Sequence, residues 1–295
     1  MIFHDIGMDA ASLAGPLDAK LEAVRAAGFS QVMIAAADVV AHPGGSASGV
    51  RAVRSSGLEV TGLEALSDFE GLDGQLHAYK VDVAKAMLEL CAALGGRLLL
   101  VEASTSRHAS TDPDAIAADL AKLALMAVPL GIRIAYKALP WSRTARNFRA
   151  AAELAMRVAS PNVGVAVDAF DVLASGTPVD DLDVLDPQQT FLAQISDYMW
   201  HDVRNAEERA ATAAHFRVFP GEGAHSDALA QFVSRLDTIG YCGNYSFDVY
   251  NDDYLRMPPE AVAARARRAA VWLAETVLRR ALPVPNVDRL RAARG

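Results

Sequence analysis

Short apolar runs alternate with longer amphipathic stretches along almost the whole chain. The pattern is sharpest between Gly131 and Asp171. There Ile132–Tyr136 and Val163–Val167 are β-branched runs too short to be helices. Between them Phe148, Ala152, Ala155, Met156 and Ala159 recur at helical spacing, and Pro161 closes the segment. Strand, crossover helix and parallel strand make a βαβ unit. The same alternation predicts strands at 2–8, 32–34, 58–63 and 98–101 before this unit, and at 190–193 and 245–249 after it. Helices are expected at 16–27, 48–56, 77–94, 112–130 and 259–278. Pro16 and Pro113 sit at first turns, and Gly28, Gly57 and Gly95 act as stops.

Eight strand–helix alternations without a low-complexity linker predict an α/β chain of class (β/α)8, a parallel eight-stranded TIM barrel. It would span 1–280 as a single domain, with 281–295 a peripheral basic tail. The alternative is an open doubly wound sheet, and it lacks support. The glycines of Pro43-Gly44-Gly45 have neither GxGxxG nor GxxxxGK spacing.

Composition narrows the classes. A hydrophobic content of 52% over 295 residues supports a large core, and a net charge of −8 argues against nucleic acid or an anionic membrane surface. The start MIFHDIGMD has neither a basic n-region nor a long apolar h-region, so a cytoplasmic location is expected. Cys91 and Cys242 fit no disulfide framework or zinc spacing and read as free thiols.

Charged or amide groups close several strands: Glu64, Glu102, Lys137, Asp168, Gln194 and Asp248. In a barrel these ends converge on one mouth, where function resides. The segments SDFEG (67–71), GIRIAYKALPW (131–141), PNVGVAVDAFDVLASGT (161–177), FLAQISD (191–197), HFRVFPGEG (215–223) and GYCGNYSFDVYND (240–252) carry a resemblance. The chain resembles the sugar phosphate isomerase/epimerase superfamily of xylose-isomerase-like barrels, and within it the metal-dependent 3-dehydroshikimate dehydratases. The likeness runs over about residues 1–275, without the second, dioxygenase-like domain of those relatives.

The resemblance implies a divalent metal held by the fifth to eighth strand ends, here Lys137, Asp168, Gln194 and Asp248. Asp168 and Gln194 match that pattern, and Asp248 is a methylene short. Lys137 departs from it, because an ammonium has no lone pair to give a cation. Ser67 stands where the relatives carry an arginine, Asp171 where they carry a histidine, and Ala36 where they carry a glutamate. No metal or other cofactor is therefore expected, with a divalent cation (Mn, Co or Mg) on a shifted set including Glu102 as the alternative. Lys137 is expected to put its ammonium at the vacated metal position. Two nearby carboxylates oppose the neutral amine that a Schiff base requires.

The function expected is a lyase or isomerase. It would abstract a proton next to a carbonyl on a small polyhydroxylated, sugar- or shikimate-like substrate. The catalytic candidates are Lys137, Asp171, His215 and Arg217, and the substrate-binding candidates are Glu102, Trp141, His201 and Asp68. The alternative is a catalytically inactive ligand-binding barrel. A small-molecule substrate is the expected partner, with no nucleic acid or membrane, and homo-oligomerisation is left open.

Overall fold

A computed structural model describes residues 6–279. The barrel strands are β1 (Ile6–Asp9), β2 (Gln31–Ala35), β3 (Glu59–Ser67), β4 (Leu98–Glu102), β5 (Arg133–Lys137), β6 (Val163–Asp168), β7 (Thr190–Ile195) and β10 (Asn244–Phe247). They close in the order β1-β10-β7-β6-β5-β4-β3-β2, every neighbour parallel. The expected eight-stranded barrel is the fold observed. A two-residue ribbon, β8 (Asp197–Tyr198) against β9 (Arg217–Val218), is antiparallel and was not expected.

The helices are α1 (Leu17–Ala26), α2 (Ala36–Val40), α3 (Ser46–Ser55), α4 (Gly74–Leu94), α5 (Pro113–Ala127), α6 (Phe148–Val158), α7 (Ala169–Ser175), α8 (Ala206–His215), α9 (Ser226–Thr238) and α10 (Pro259–Trp272). Local chemistry sets several ends. Asp112 accepts from the Asp114 amide ahead of Pro113, Asn147 caps α6 through Ala150, and Gly95 ends α4 in the left-handed conformation. Helix α6 presents Phe148, Ala151, Leu154 and Ala155 to the sheet. Its seam belongs to a core that runs between the helical ring and the outer strand faces. A smaller cluster of Met33, Leu98, Leu100, Ala135, Ala166, Phe191 and Leu192 is drawn from alternate strand positions.

Some expected boundaries moved. Strand β3 runs on to Ser67, so Glu64 lies within it, and β7 includes Gln194. The first strand ends on Asp9; the expected residues 2–5 and the tail 281–295 lie outside the described residues. Among the described residues, no helix is long and apolar enough to cross a membrane.

Candidate functional site at the barrel mouth

Register brings the polar strand ends together. Lys137 on β5 pairs with Glu102 on β4, and Asp168 on β6 pairs with Gln194 on β7. Asp248 follows β10 directly, and β1 places Asp9 on the other side of that strand. Lys137 is 2% exposed. Its Nζ lies 2.7 Å from Asp168 Oδ2, 3.1 Å from Asp248 Oδ2 and 2.8 Å from Gln194 Oε1. Three N–H donors thus meet three acceptors. Burial works against the ammonium, but Asp168, Asp248 and Asp171 outweigh it and hold the lysine above its ordinary pKa. The lysine is charged, which removes the Schiff-base role.

Arg217, delivered by the ribbon strand β9, is the second buried cation. Its Nη1 donates to Asp168 Oδ2 at 2.8 Å and to Asp248 Oδ2 at 3.2 Å, while Nε donates to the Ala213 carbonyl. The guanidinium stacks 4.4 Å above the Phe170 ring, which fixes its plane. Burial would raise Asp168, yet Arg217 and Lys137 together hold it below the ordinary aspartate value. Asp171, in the first turn of α7, is different. Its carboxylate lies 3.9 Å from Lys137 Nζ and 4.0 Å from Arg217 Nη2, and neither oxygen has a hydrogen-bond partner among the described residues. Burial and the Asp168 charge push its carboxyl well above the usual range.

A second group of carboxylates lies across Asp248. Asp9 accepts from Gln194 Nε2 at 2.8 Å and from the Ser246 hydroxyl. One oxygen each of Asp9, Glu64 and Asp248 lies within 4.8 Å of the others. Burial first, then the Asp248 charge, pushes Asp9 up to about 7, and burial with the Asp9 charge holds Glu64 well above the usual carboxylate range. Asp9 escaped the sequence reading because its strand was ended at Met8. The signal available was a lone acid closing an apolar run.

Lys137, Arg217 and Asp248 floor a cavity of about 540 Å³ whose other walls are Ser67, Glu102, Trp141 and Tyr250, with Leu139 and several alanines. Ser67 Oγ donates to Glu102 Oε2 at 2.8 Å, so this part of the rim carries a carboxylate. Tyr250 was not anticipated. The structure therefore gathers Lys137, Asp171, Arg217, Glu102 and Trp141 at or beside the mouth. It does not gather the others. His215 ends α8 with an exposed ring 3.1 Å from Asp252, and His201 is exposed beside His225. Asp68 accepts from the Thr105 and Ser106 amides and from Ser104 Oγ, and so ties down a loop. Of the catalytic candidates Asp171 and His215, only Asp171 sits against Lys137.

A divalent metal does not fit at the strand-end positions that the resemblance implied. The Lys137 ammonium already bonds the three side chains that would converge on the ion, and it has no lone pair to contribute. Replacing Lys137 by Glu102 as fourth ligand leaves the ammonium in the same space.

The sequence signature of the xylose isomerase-like TIM barrels matches residues 21–276. The chain belongs to that family. Among xylose isomerase-like relatives, it is 33% identical over 285 residues to a 3-dehydroshikimate dehydratase of Pseudomonas aeruginosa, covering 95% of this chain and 44% of that protein. A 3-dehydroshikimate dehydratase of Pseudomonas putida is 30% identical over 90% of this chain and 41% of its own length. The chain thus spans less than half the length of these two relatives. An inosose isomerase of Bacillus subtilis is 24% identical, over 71% of this chain and 74% of its own length. Among solved structures, a xylose isomerase-like TIM barrel/4-hydroxyphenylpyruvate dioxygenase fusion protein superposes with a TM-score of 0.85 at 28% identity, over 93% of this chain and 44% of that one. The IolI protein with a bound zinc atom gives a TM-score of 0.78 at 22% identity, over 92% of this chain and 98% of that one, a likeness of fold.

Proposed function

We propose that this barrel is a lyase or isomerase that abstracts a proton next to a carbonyl on a small polyhydroxylated compound, without a metal. The observation that carries the reading is the buried Lys137 ammonium, held among Gln194, Asp168 and Asp248 beneath the cavity. Relatives named 3-dehydroshikimate dehydratase and inosose isomerase act on substrates of this kind by name.

Removing a proton next to a carbonyl leaves negative charge on the carbonyl oxygen, and a fixed cation in a dry site stabilises it. Lys137 is engaged by Gln194, Asp248 and Asp168, so the lysine acts through its field. Arg217 Nη2 takes no part in the bonds that hold Nη1 and Nε, and offers the hydrogen bond. Asp171 is the base: its oxygens have no partner among the described residues, it lies beside both cations, and burial with the Asp168 charge raises its pKa and so its basicity. Trp141 and Glu102 flank the substrate in the cavity. The second reading, a catalytically inactive ligand-binding barrel, draws on one observation: the Lys137 network is complete without any ligand.

Deuterium exchange separates the two readings. The EDTA-treated protein is incubated in D2O with 3-dehydroshikimate, inososes and ketohexoses, and α-proton loss is followed by NMR. Exchange that survives chelation and disappears in Asp171→Asn is expected. Exchange abolished by EDTA, or absent with every compound, would overturn the proposal.

A further inference from the structure

We infer that Asp9, Glu64 and Asp248 form a subsite for a protonated amine, so that the substrate of this barrel is an amino-substituted polyhydroxylated carbonyl compound. This rests on the reading of Lys137 as the fixed cation of the site and names the substrate class that fits beside it.

Charge is the first argument. Five carboxyl groups are buried at the mouth (Asp9, Glu64, Asp168, Asp171 and Asp248), and among the described residues only Lys137 and Arg217 form ion pairs with any of them. Both cations sit on the Asp168–Asp171–Asp248 side. Among the described residues, neither Asp9 nor Glu64 has an ion-pair partner. Burial and mutual repulsion raise both of their carboxyls, so the shortage of cations falls on the β1–β3–β10 side of the barrel.

Unsatisfied acceptors are the second. Glu64 Oε1 and Asp248 Oδ1 are fully buried and accept no hydrogen bond among the described residues, although the two side chains are 6% and 3% exposed. Buried acceptors left open mark a place where a donor is missing. Asp248 also lines the cavity, which joins this quadrant to the ligand space.

Geometry chooses the donor. An ammonium with N···O contacts of ~2.8 Å along tetrahedral N–H directions holds its acceptors ~4.6 Å apart. One oxygen of each of the three carboxyls lies within 4.8 Å of the others, close enough for a single ammonium to reach all three. A divalent ion is served less well. It asks for six or more oxygens at ~2.0–2.6 Å. Its double charge would also stand next to Lys137 and Arg217, both bonded to the other oxygen of Asp248. The remaining walls agree with an organic cation. Tyr250 and Trp141 provide aromatic surface, and Glu102 adds a carboxylate at the rim.

Calorimetric titration of the full chain in EDTA tests this, with D-glucosamine and ethanolamine as amine probes and N-acetyl-D-glucosamine and D-gluconate as neutral and anionic controls. D-glucosamine should bind one per chain, roughly tenfold or more tighter than its acetylated form, the worth of one charge-assisted hydrogen bond. Glu64→Gln should erase that preference while leaving a folded protein of nearly unchanged melting temperature, since burial and the Asp9 charge already hold Glu64 toward the neutral form that the amide mimics. Asp9→Asn should weaken the amine in the same way. Equal binding of the acetylated sugar, a preference for gluconate, amine affinity unchanged in Glu64→Gln, or no saturable amine binding would each overturn the subsite. So would Mn²⁺ binding one per chain and lost in Glu64→Gln, which would make the quadrant a metal site. Deuterium exchange on a neutral ketose with no amine preference would sink the subsite alone; amine selectivity without exchange would sink the catalytic reading alone.

Discussion

Removing the Lys137 charge is the most direct perturbation of the site. In Lys137→Met the side chain keeps its length, so the change reports lost charge rather than a cavity. Gln194 Oε1 loses its donor, and Asp168 and Asp248 lose a cation at 2.7 and 3.1 Å. Breaking a buried ion pair by removing one partner typically costs ~3–5 kcal/mol. Arg217 still bridges the same two carboxylates at 2.8 and 3.2 Å, which places the loss near the lower end, about 3 kcal/mol. At ~2–4 °C per kcal/mol for a chain of this size, the melting temperature should fall by ~6–12 °C at pH 7.

The pH dependence follows from the directions of the shifts. Asp168 is held below its ordinary 3.8, so its stabilisation is present above that value and lost as pH falls through the depressed one. Lys137 is held above its ordinary 10.5, so its contribution is present below that value and lost as pH rises through the elevated one. The wild-type network is therefore at full strength across neutral pH. In Lys137→Met Asp168 and Asp171 lose a charge that favoured their ionised forms and take up protons more readily, and the deficit should shrink from pH 7 toward pH 5. Scanning calorimetry at the two pH values measures both effects. A Lys137→Met protein melting within ~2 °C of wild type at both would place the lysine outside any ion network worth the name.

Three other outcomes are expected. Lys137→Glu should acquire Mn²⁺ or Co²⁺ affinity, seen as a metal-dependent rise in melting temperature absent from wild type; the short Asp248 will keep that affinity modest, and no rise at millimolar metal counts against the assigned geometry. Asp9 is raised to about 7, so its contribution is present below 3.8 and lost as pH rises through 7; Asp9→Asn should flatten the fall in stability between pH 5 and pH 8 in urea denaturation, and an unchanged slope would show that Asp9 is ionised throughout. Dehydration of 3-dehydroshikimate should be very slow, because Ser67, Lys137 and Asp171 stand where the dehydratases' arginine, first metal ligand and histidine are expected; protocatechuate absorbance growing at ~1 s⁻¹ or faster would contradict this.

The barrel was legible because most of the strands are short apolar runs, several of them closed by a polar residue, and because proline and glycine punctuate the helices between them. Lys137, Asp168, Gln194 and Asp248 could be named for the same reason. The Asp9–Glu64 pair could not. The two residues are far apart in the chain, and they meet only because closure sets β1 between β2 and β10. Arg217 was visible as a basic residue ahead of the FPGEG segment, but its place on an antiparallel ribbon depends on a pairing that two-residue strands do not announce. His215 looked equally promising two positions earlier. The turn from α8 into β9 sends its ring outward and the Arg217 side chain inward, a distinction that composition does not carry.

One consequence of the lysine concerns how the site comes into being. A metal centre can fold vacant and be loaded afterwards, and the wrong ion can be loaded in place of the right one. The Lys137 ammonium arrives with the polypeptide and leaves water in the same event that brings β5, β6, β7 and β10 together. Assembly of the charged centre and closure of that side of the barrel are then one cooperative step. A centre that works through this lysine, as proposed, calls for no metal to be loaded.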